Sequence, residues 1–337
     1  MLDLRTRLDR RKTRLRQELE DAGVALPATD ESGLLREIDR ARFPRRHERR
    51  FPPYGAIVAH RDAAGTSDAL DDLGAVRMAA PRDAARDVRR MADGVQSFSF
   101  VRDGEIELIL LPTPVGREIE LVRLRRSLGP DTALVCRSDD AIVRVFDRQQ
   151  IVIFDGTRWW TKPDAHEYTI SVRRSVRRAP PELTQHILDF CVHSAGPGVA
   201  GTMLVWCLDD QALLQLRRRS VPTHQPLPIP LPLTLPVAHS AICHLLFQVD
   251  GAAVVDPTGL VVEVGLHLRA SAEAHQTVDV PPDRGTRHAA AKRCSHDVRD
   301  AAFFVVSEDG PVTVYAGGRV VASIDITADG EDAGAVG

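Results

Sequence analysis

Lysine is almost missing from this chain. Of 44 basic residues only Lys12, Lys162 and Lys292 are lysines, so arginine carries nearly all of the positive charge. Acidic residues number 47, for a formal net charge of −3. That balance excludes a generally basic nucleic-acid coat protein and gives no reason to expect an acidic disordered chain. Cysteine is scarce too: the five residues Cys136, Cys191, Cys207, Cys243 and Cys294 are scattered and never spaced C-x-x-C. A disulfide framework or a structural zinc site is therefore not expected, and cysteine within an apolar run reads as a small core residue. The charged start Met1-Leu2-Asp3-Leu4-Arg5 lacks the apolar h-region of a signal peptide, so the cytoplasm is the expected compartment. Long unbroken apolar runs are missing as well. The stretch from Leu227 to Phe247 is interrupted by Pro228, Pro230, Pro232 and Pro236, which rules it out as one spanning helix and leaves no membrane association to expect. Walker A, G-x-S-x-G and H-E-x-x-H motifs do not occur, and the 12 histidines show no ligand spacing, which argues against a dedicated metal cage.

What the chain does contain is apolar material for a sizeable core: 43% hydrophobic residues over 337 positions, enough for about two domains. Residues 1–50 read as a helical, basic N-terminal segment. Leu4, Leu8, Leu15 and Leu19 share one helical stripe, and Arg5, Arg7, Arg10, Arg11, Lys12, Arg14 and Arg16 lie opposite. Two readings stand: an arm for nucleic acid or a membrane surface, or a solvated face whose leucines dock on a partner or on the body. The second is favoured.

Residues 51–165 read as a small α/β domain with a sensory or regulatory role. Ser97–Val101 and Glu105–Leu111 flank Asp103-Gly104, a strong hairpin signal. Strand patterns follow at Ala133–Cys136, Ala141–Phe146 and Ile151–Phe154, after a helical interlude at Arg117–Leu128. Trp159-Trp160 reads as edge packing. Beyond residue 165 a helix is expected after Pro180-Pro181, a buried strand at Thr202–Leu208, a helix at Val237–Gln248 and a hairpin-like pair at Ala252–Val255 and Leu260–Val264. A further helix starts near Thr286, and Phe303–Ser307 and Val312–Tyr315 form strands. The tail 325–337 is acidic, rich in Gly and Ala, and expected to be flexible. Gly196-Pro197-Gly198-Val199-Ala200-Gly201 satisfies G-x-G-x-x-G. Its context of helix before and strand after inverts the dinucleotide fingerprint, so it reads as a connection.

Three short segments carry the chemistry. They are Asp250-Gly251-Ala252 at a strand entry, Gly285-Thr286-Arg287-His288 at a loop-to-helix junction, and Ser307-Glu308-Asp309-Gly310 at a strand exit. Singly, the first and last are ordinary turns. The second is more specific, because glycine allows close backbone approach and the amides of a helix N-terminus attract phosphate. Arg287 adds a forked cation and His288 another polar group beside the same anion.

Together and in this order the segments resemble the diadenylate cyclase family, whose nucleotide-cyclising domain also occurs in the DNA-integrity scanning protein. That family's hallmarks are Asp-Gly-Ala, Gly-Thr-Arg-His-Arg and Ser-Glu-Glu. The resemblance covers roughly residues 180–322 and implies a domain over 166–324. The fold class expected is α/β, with a C-terminal mixed β-sheet flanked by helices and a smaller α/β N-terminal domain before it. Two positions depart from the pattern: Ala289 stands where the family has arginine, and Asp309 replaces the second glutamate.

The resemblance implies condensation of two ATP into cyclic di-AMP with loss of two pyrophosphates. The implied catalytic set is Asp250, Gly251, Ala252, Arg287 and His288. Substrate contacts would come from Gly285, Thr286 and Ser307, with Leu266 and Leu268 facing the base. Asp250, Glu308 and Asp309 would place a Mg²⁺ or Mn²⁺ ion. The implied partners are ATP and a second copy of the chain, in a homo-oligomer containing at least a face-to-face dimer. Two alternatives remain open. One is a nucleotide-binding or sensor module of the same fold that has lost turnover at position 289. The other, least favoured, is a nucleic-acid-responsive protein acting through the basic N-terminal helix.

Overall fold

Asp103 and Gly104 both have positive φ, 53° and 80°, the pair of left-handed residues that a two-residue hairpin turn demands. They close the expected hairpin between Ser97–Arg102 and Glu105–Leu110. That hairpin belongs to the first of two units into which the chain divides, Met1–Asp164 with Ile326–Gly337, and Ala165–Asp325. The structure is a computed structural model that describes residues 4–24, 26, 31–44, 51–60, 65–176, 178–195, 201–223, 226–282, 284–308, 310–325 and 327–328.

The first unit is built on a mixed nine-stranded sheet. Its strands are β1 (Tyr54–Ala59), β2 (Val76–Ala79), β3 (Ser97–Arg102), β4 (Glu105–Leu110), β5 (Thr132–Arg137), β6 (Val143–Phe146), β7 (Gln150–Phe154) and β8 (Trp159–Pro163). The two-residue strand Thr327–Ala328 pairs with β8. From that end the order is β8, β7, β6, β5, β1, β3, β4, β2, with only β1 and β3 parallel. Helices α1 (Leu4–Asp21) and α2 (Glu31–Arg42) cover one face, where Leu15, Leu19, Leu34 and Ile38 pack on Val58, Val135 and Val145. On the other face Phe98, Phe100 and Ile153 meet α3 (Gly65–Asp72) through Leu70 and α5 (Glu118–Ser127) through Leu121 and Val122. Helix α4 (Ala85–Met91) lies between β2 and β3 in the chain.

Three expectations change here. Residues 1–50 are not a separate segment, because α1 and α2 bury their leucines in the first unit's own core. The Leu15–Leu19 part of the stripe is thus occupied internally; the side chains of Leu4 and Leu8 lie outside the described residues. The basic face of α1 is partly neutralised, with Arg11 paired to Asp39 at 2.9 Å and Arg16 to Glu31 at 2.6 Å. Nor is the N-terminal unit the smaller, since Met1–Asp164 with Ile326–Gly337 exceeds Ala165–Asp325 in length. Finally, Thr327–Ala328 is a strand, although most of the 325–337 tail lies outside the described residues.

The second unit holds a mixed eight-stranded sheet. Its strands are β9 (Thr202–Cys207), β10 (Ser220–Pro222), β11 (Leu231–Pro232), β12 (Ala252–Val255), β13 (Leu260–Leu268), β14 (Ala301–Val306), β15 (Val312–Ala316) and β16 (Arg319–Ile324). The order is β10-β13-β12-β9-β14-β15-β16, with β11 also on β13. Only β9 and β12 are parallel. Both faces are covered, which is why β9 reads as the unbroken apolar run Thr-Met-Leu-Val-Trp-Cys rather than an alternation. Leu204 and Trp206 point to the face closed by α6 (Thr169–Ser175), α7 (Pro181–Asp189) and α9 (Pro236–Gln248). Met203, Val205 and Cys207 point to the face closed by α8 (Asp210–Arg218) and α11 (Thr286–Asp297), with the short α10 (Ala272–Thr277) beside α11. Helix α7 runs on through a π-turn at Phe190–Ser194. The next residues, 196–200 of the G-x-G-x-x-G run, lie outside the described set. No helix among the described residues is long and apolar enough to cross a membrane.

Candidate active site

Sheet direction gathers the three motifs. Because β9 and β12 are parallel, both begin at the same edge, and their antiparallel neighbours β14 and β13 end there. Gly201 before β9, Asp250-Gly251 before β12, Leu266–Leu268 at the end of β13 and Ser307-Glu308 after β14 therefore share one edge. The N-terminus of α11 adds Thr286, Arg287 and His288 to the same place.

Gly251 makes the strand entry. Its φ is +109°, and a Cβ there would lie 2.9 Å from the carbonyl carbon of Gly265 on the neighbouring strand. Glycine is thus required both by conformation and by the close approach of two backbones. It turns the chain so that Asp250 stands exposed at the lip of a cleft of about 310 Å³. Ala252, Leu266, Leu268, Thr286 and Arg287 line that cleft. Ala252 pairs with Leu266 across β12 and β13. Leu266 is buried while Leu268 is half-buried, so an apolar wall faces the acid.

Across the lip, Arg287 Nη2 is 3.5 Å from Asp250 Oδ1. Gly285 is the N-cap of α11 and offers no side chain to cap it. The helix therefore opens with first-turn amides that have no side-chain cap, a feature that favours an anion. His288, one residue deeper, is fixed from two sides: Nδ1 is 2.8 Å from the Tyr315 hydroxyl and Nε2 is 3.4 Å from Ser307 Oγ. Burial, and secondarily the charge of Arg284, holds the imidazole below its ordinary pKa. Burial likewise holds the Tyr315 phenol above its own. Both partners are thereby kept neutral near pH 7.

Glu308 is exposed, on the far side of Arg287: a Cβ at Gly201 would be 3.3 Å from Glu308 Cγ and 3.0 Å from Arg287 Nη1. Asp309 lies outside the described residues. Ala289 is half-buried in the first turn of α11 and offers no charge there.

Of the residues expected from sequence, Asp250, Gly251, Ala252, Leu266, Leu268, Thr286 and Arg287 are brought to one cleft or its lip, with His288 and Ser307 bonded to each other beside it. Sequence reasoning passed over Tyr315, Gly201, Met203, His267 and Ala290. Met203, His267 and Ala290 also line the cleft. Tyr315 had a usable signal, since period-2 alternation on β15 puts it on the α11 side. Met203 had none beyond an apolar strand.

Comparison with known proteins agrees with this division. Residues 13–163 match the family described as "Probable sensor domain DACNK". Residues 231–320 match the family described as DisA bacterial checkpoint controller nucleotide-binding. A stretch of 78 residues is 33% identical to a protein of Haloferax volcanii named diadenylate cyclase, covering 23% of this chain and 28% of that relative. The second unit accordingly carries a domain of the DisA nucleotide-binding, diadenylate cyclase family, and the first a domain of the DACNK sensor family.

Proposed function

We propose that the second unit condenses two ATP molecules into cyclic di-AMP, and that the first unit regulates it. The observation carrying this reading is the meeting of the Asp250 carboxylate with Thr286 and Arg287 at a helix N-terminus that opens on a cleft. Such a place can hold a triphosphate at one end and a ribose hydroxyl at the other. In the reaction the 3′-oxygen of one ATP bonds to the α-phosphorus of the second while the α–β anhydride bond breaks. Pyrophosphate leaves with the bonding electrons, and the hydroxyl proton passes by way of Asp250 to solvent. Arg287 and the first-turn amides of α11 neutralise the phosphates. His288, anchored by Tyr315, presents Nε2–H towards Ser307 and the same phosphates when the phenol donates to Nδ1.

Asp250 and Glu308 supply hard carboxylate oxygens on either side of Arg287, and among the described residues neither belongs to a ready-made group of three Asp, Glu, His or Cys ligands. Hard single carboxylates of this kind fit Mg²⁺ or Mn²⁺, which take most of their shell from phosphate oxygens and water. When bound, the ion would offset triphosphate charge.

Each product molecule has two equivalent phosphodiester bonds, and one cleft with a single Asp250 activates one attack. Two copies facing across a two-fold axis supply both.

A second reading, a nucleotide-binding module without turnover, rests on Ala289, which leaves one position of the first turn without a cation. One experiment separates the two. Purified chain is incubated with ATP and Mn²⁺ and the products are identified by mass spectrometry. Cyclic di-AMP from the parent, and a loss of at least ~100-fold in Asp250→Asn with ATP binding retained, supports the cyclase. Bound but unconverted ATP supports the module, and product from Asp250→Asn at the parent rate overturns the assignment of Asp250.

A further inference from the structure

The first unit contains a cleft of about 700 Å³ that, among the described residues, is lined by five arginines and no carboxylate: Arg40 on α2, Arg86, Arg89 and Arg90 on α4, and Arg137 on β5. Two of these charges are answered. Arg89 lies against the fully buried Glu37, with Nη2 to Oε1 at 2.6 Å, and the Tyr54 hydroxyl donates to the same carboxylate. Arg90 reaches Asp87 at 3.0 Å on the surface. Arg137 spends its donors on main-chain carbonyls, Nε to Pro52 at 2.9 Å and Nη1 to Ala41 at 2.8 Å. Those carbonyls hold the guanidinium in place without cancelling its charge. Among the described residues no carboxylate pairs with Arg40, Arg86 or Arg137.

We infer that this cleft is the binding site of a small phosphorylated ligand, its phosphates held by Arg40 and Arg86, attracted also by the fixed charge of Arg137, and its remainder resting on Phe43, Pro52 and Pro53. Like charges gathered in a half-buried cleft cost free energy unless an anion joins them. The cost is visible in the arginines themselves. Burial is the main cause that lowers the pKa of Arg40, with the charges of Arg89 and Arg90 adding to it and Tyr54 and Glu37 opposing. Burial, with Arg40 adding to it, brings Arg137 down to about 10. A planar fork such as guanidinium matches phosphate oxygens two at a time, and the volume falls in the range of small-molecule sites. The arginines line one concavity instead of running in a stripe, which favours a compact anion over a nucleic-acid strand. The site lies wholly in the first unit, so it stands or falls independently of the cyclase reading.

The test uses the full chain carrying Arg287→Gln, which weakens the phosphate end of the other cleft. Pyrophosphate and ADP are titrated by calorimetry at two salt concentrations. Saturable binding that weakens with salt is expected, and Arg40→Gln with Arg86→Gln added should weaken it at least ~10-fold. An unchanged melting temperature confirms that the double variant is intact. No saturable binding of either probe overturns the proposal, as does equal affinity in the intact double variant. Tighter binding of a short single-stranded DNA, displaced by neither probe, overturns it in favour of nucleic acid.

Discussion

Gly201 leaves room for Arg287 at the edge of the cleft: a Cβ at Gly201 would lie 3.0 Å from Arg287 Nη1. The neighbour is the far end of a flexible side chain, so Gly201→Ala should shift the guanidinium by a few tenths of an ångström while leaving the fold intact. Stability within ~0.5 kcal/mol of the parent and a several-fold higher KM for ATP are expected, measured by thermal unfolding and steady-state kinetics. Unaltered kinetics would mean that Arg287 does not act from this position.

Gly251→Ala meets backbone, which cannot yield in the same way. A Cβ 2.9 Å from Gly265, added to a φ of +109°, should destabilise the second unit by about 1–3 kcal/mol and displace Asp250. Denaturant unfolding together with turnover checks this. A variant as stable as the parent would contradict the close approach of β12 and β13.

The pH dependence has a definite sign. The folded state holds His288 below its usual value, so in acid the unfolded chain takes up that proton first. The contribution to stability is present above the ordinary histidine value of ~6.5 and is lost as pH falls through it towards the lower folded value. The imidazole should titrate below ~6.5 by NMR, with the acid limb of cyclase activity following it. A midpoint at or above that value in the free protein would refute the neutral pair with Tyr315.

Ala289→Arg places a cation one residue beyond His288, in the first turn of α11. Tighter ATP binding or faster turnover worth about 1 kcal/mol is expected, from one charge-assisted contact. A well-folded variant with unchanged or lower activity would show that the phosphates lie away from this turn.

Mixing Asp250→Asn chains with parent chains should lower activity more than dilution does, because the proposed face-to-face pair needs two acids. Specific activity should also rise with enzyme concentration through the dimerisation range. A strictly monomeric protein by sedimentation, with constant specific activity, would rule out the paired mechanism.

Much of the nucleotide cleft was readable because its parts are short and local. Asp-Gly before a strand, and Gly-Thr before a helix, impose backbone geometry within a few residues. The contact between Arg287 and Asp250 was not readable, since it joins positions 37 residues apart and depends on which edge of the sheet each strand reaches. Tyr315 shows the same limit, because its bond to His288 exists only once β15 lies beside β14 under α11. In the first unit the hairpin at Asp103-Gly104 was plain from its turn, whereas α3 and α4 are too short for helical periodicity to stand out. The favoured reading of α1 agrees with the structure, since its described arginines stay exposed and Leu15 and Leu19 dock on the body; what sequence could not show is that the acid partners Asp39 and Glu31 arrive from α2.

The two-residue strand Thr327–Ala328 has a consequence for biosynthesis. It completes the sheet of the first unit, yet the ribosome makes it only after the whole of the second unit, Ala165–Asp325. While the chain is being translated, β8 is an open edge with unpaired amides and carbonyls, the kind that invites pairing with a neighbouring nascent chain. The second unit is thus inserted in sequence within its companion, whose sheet gains this edge strand only after the second unit has been made.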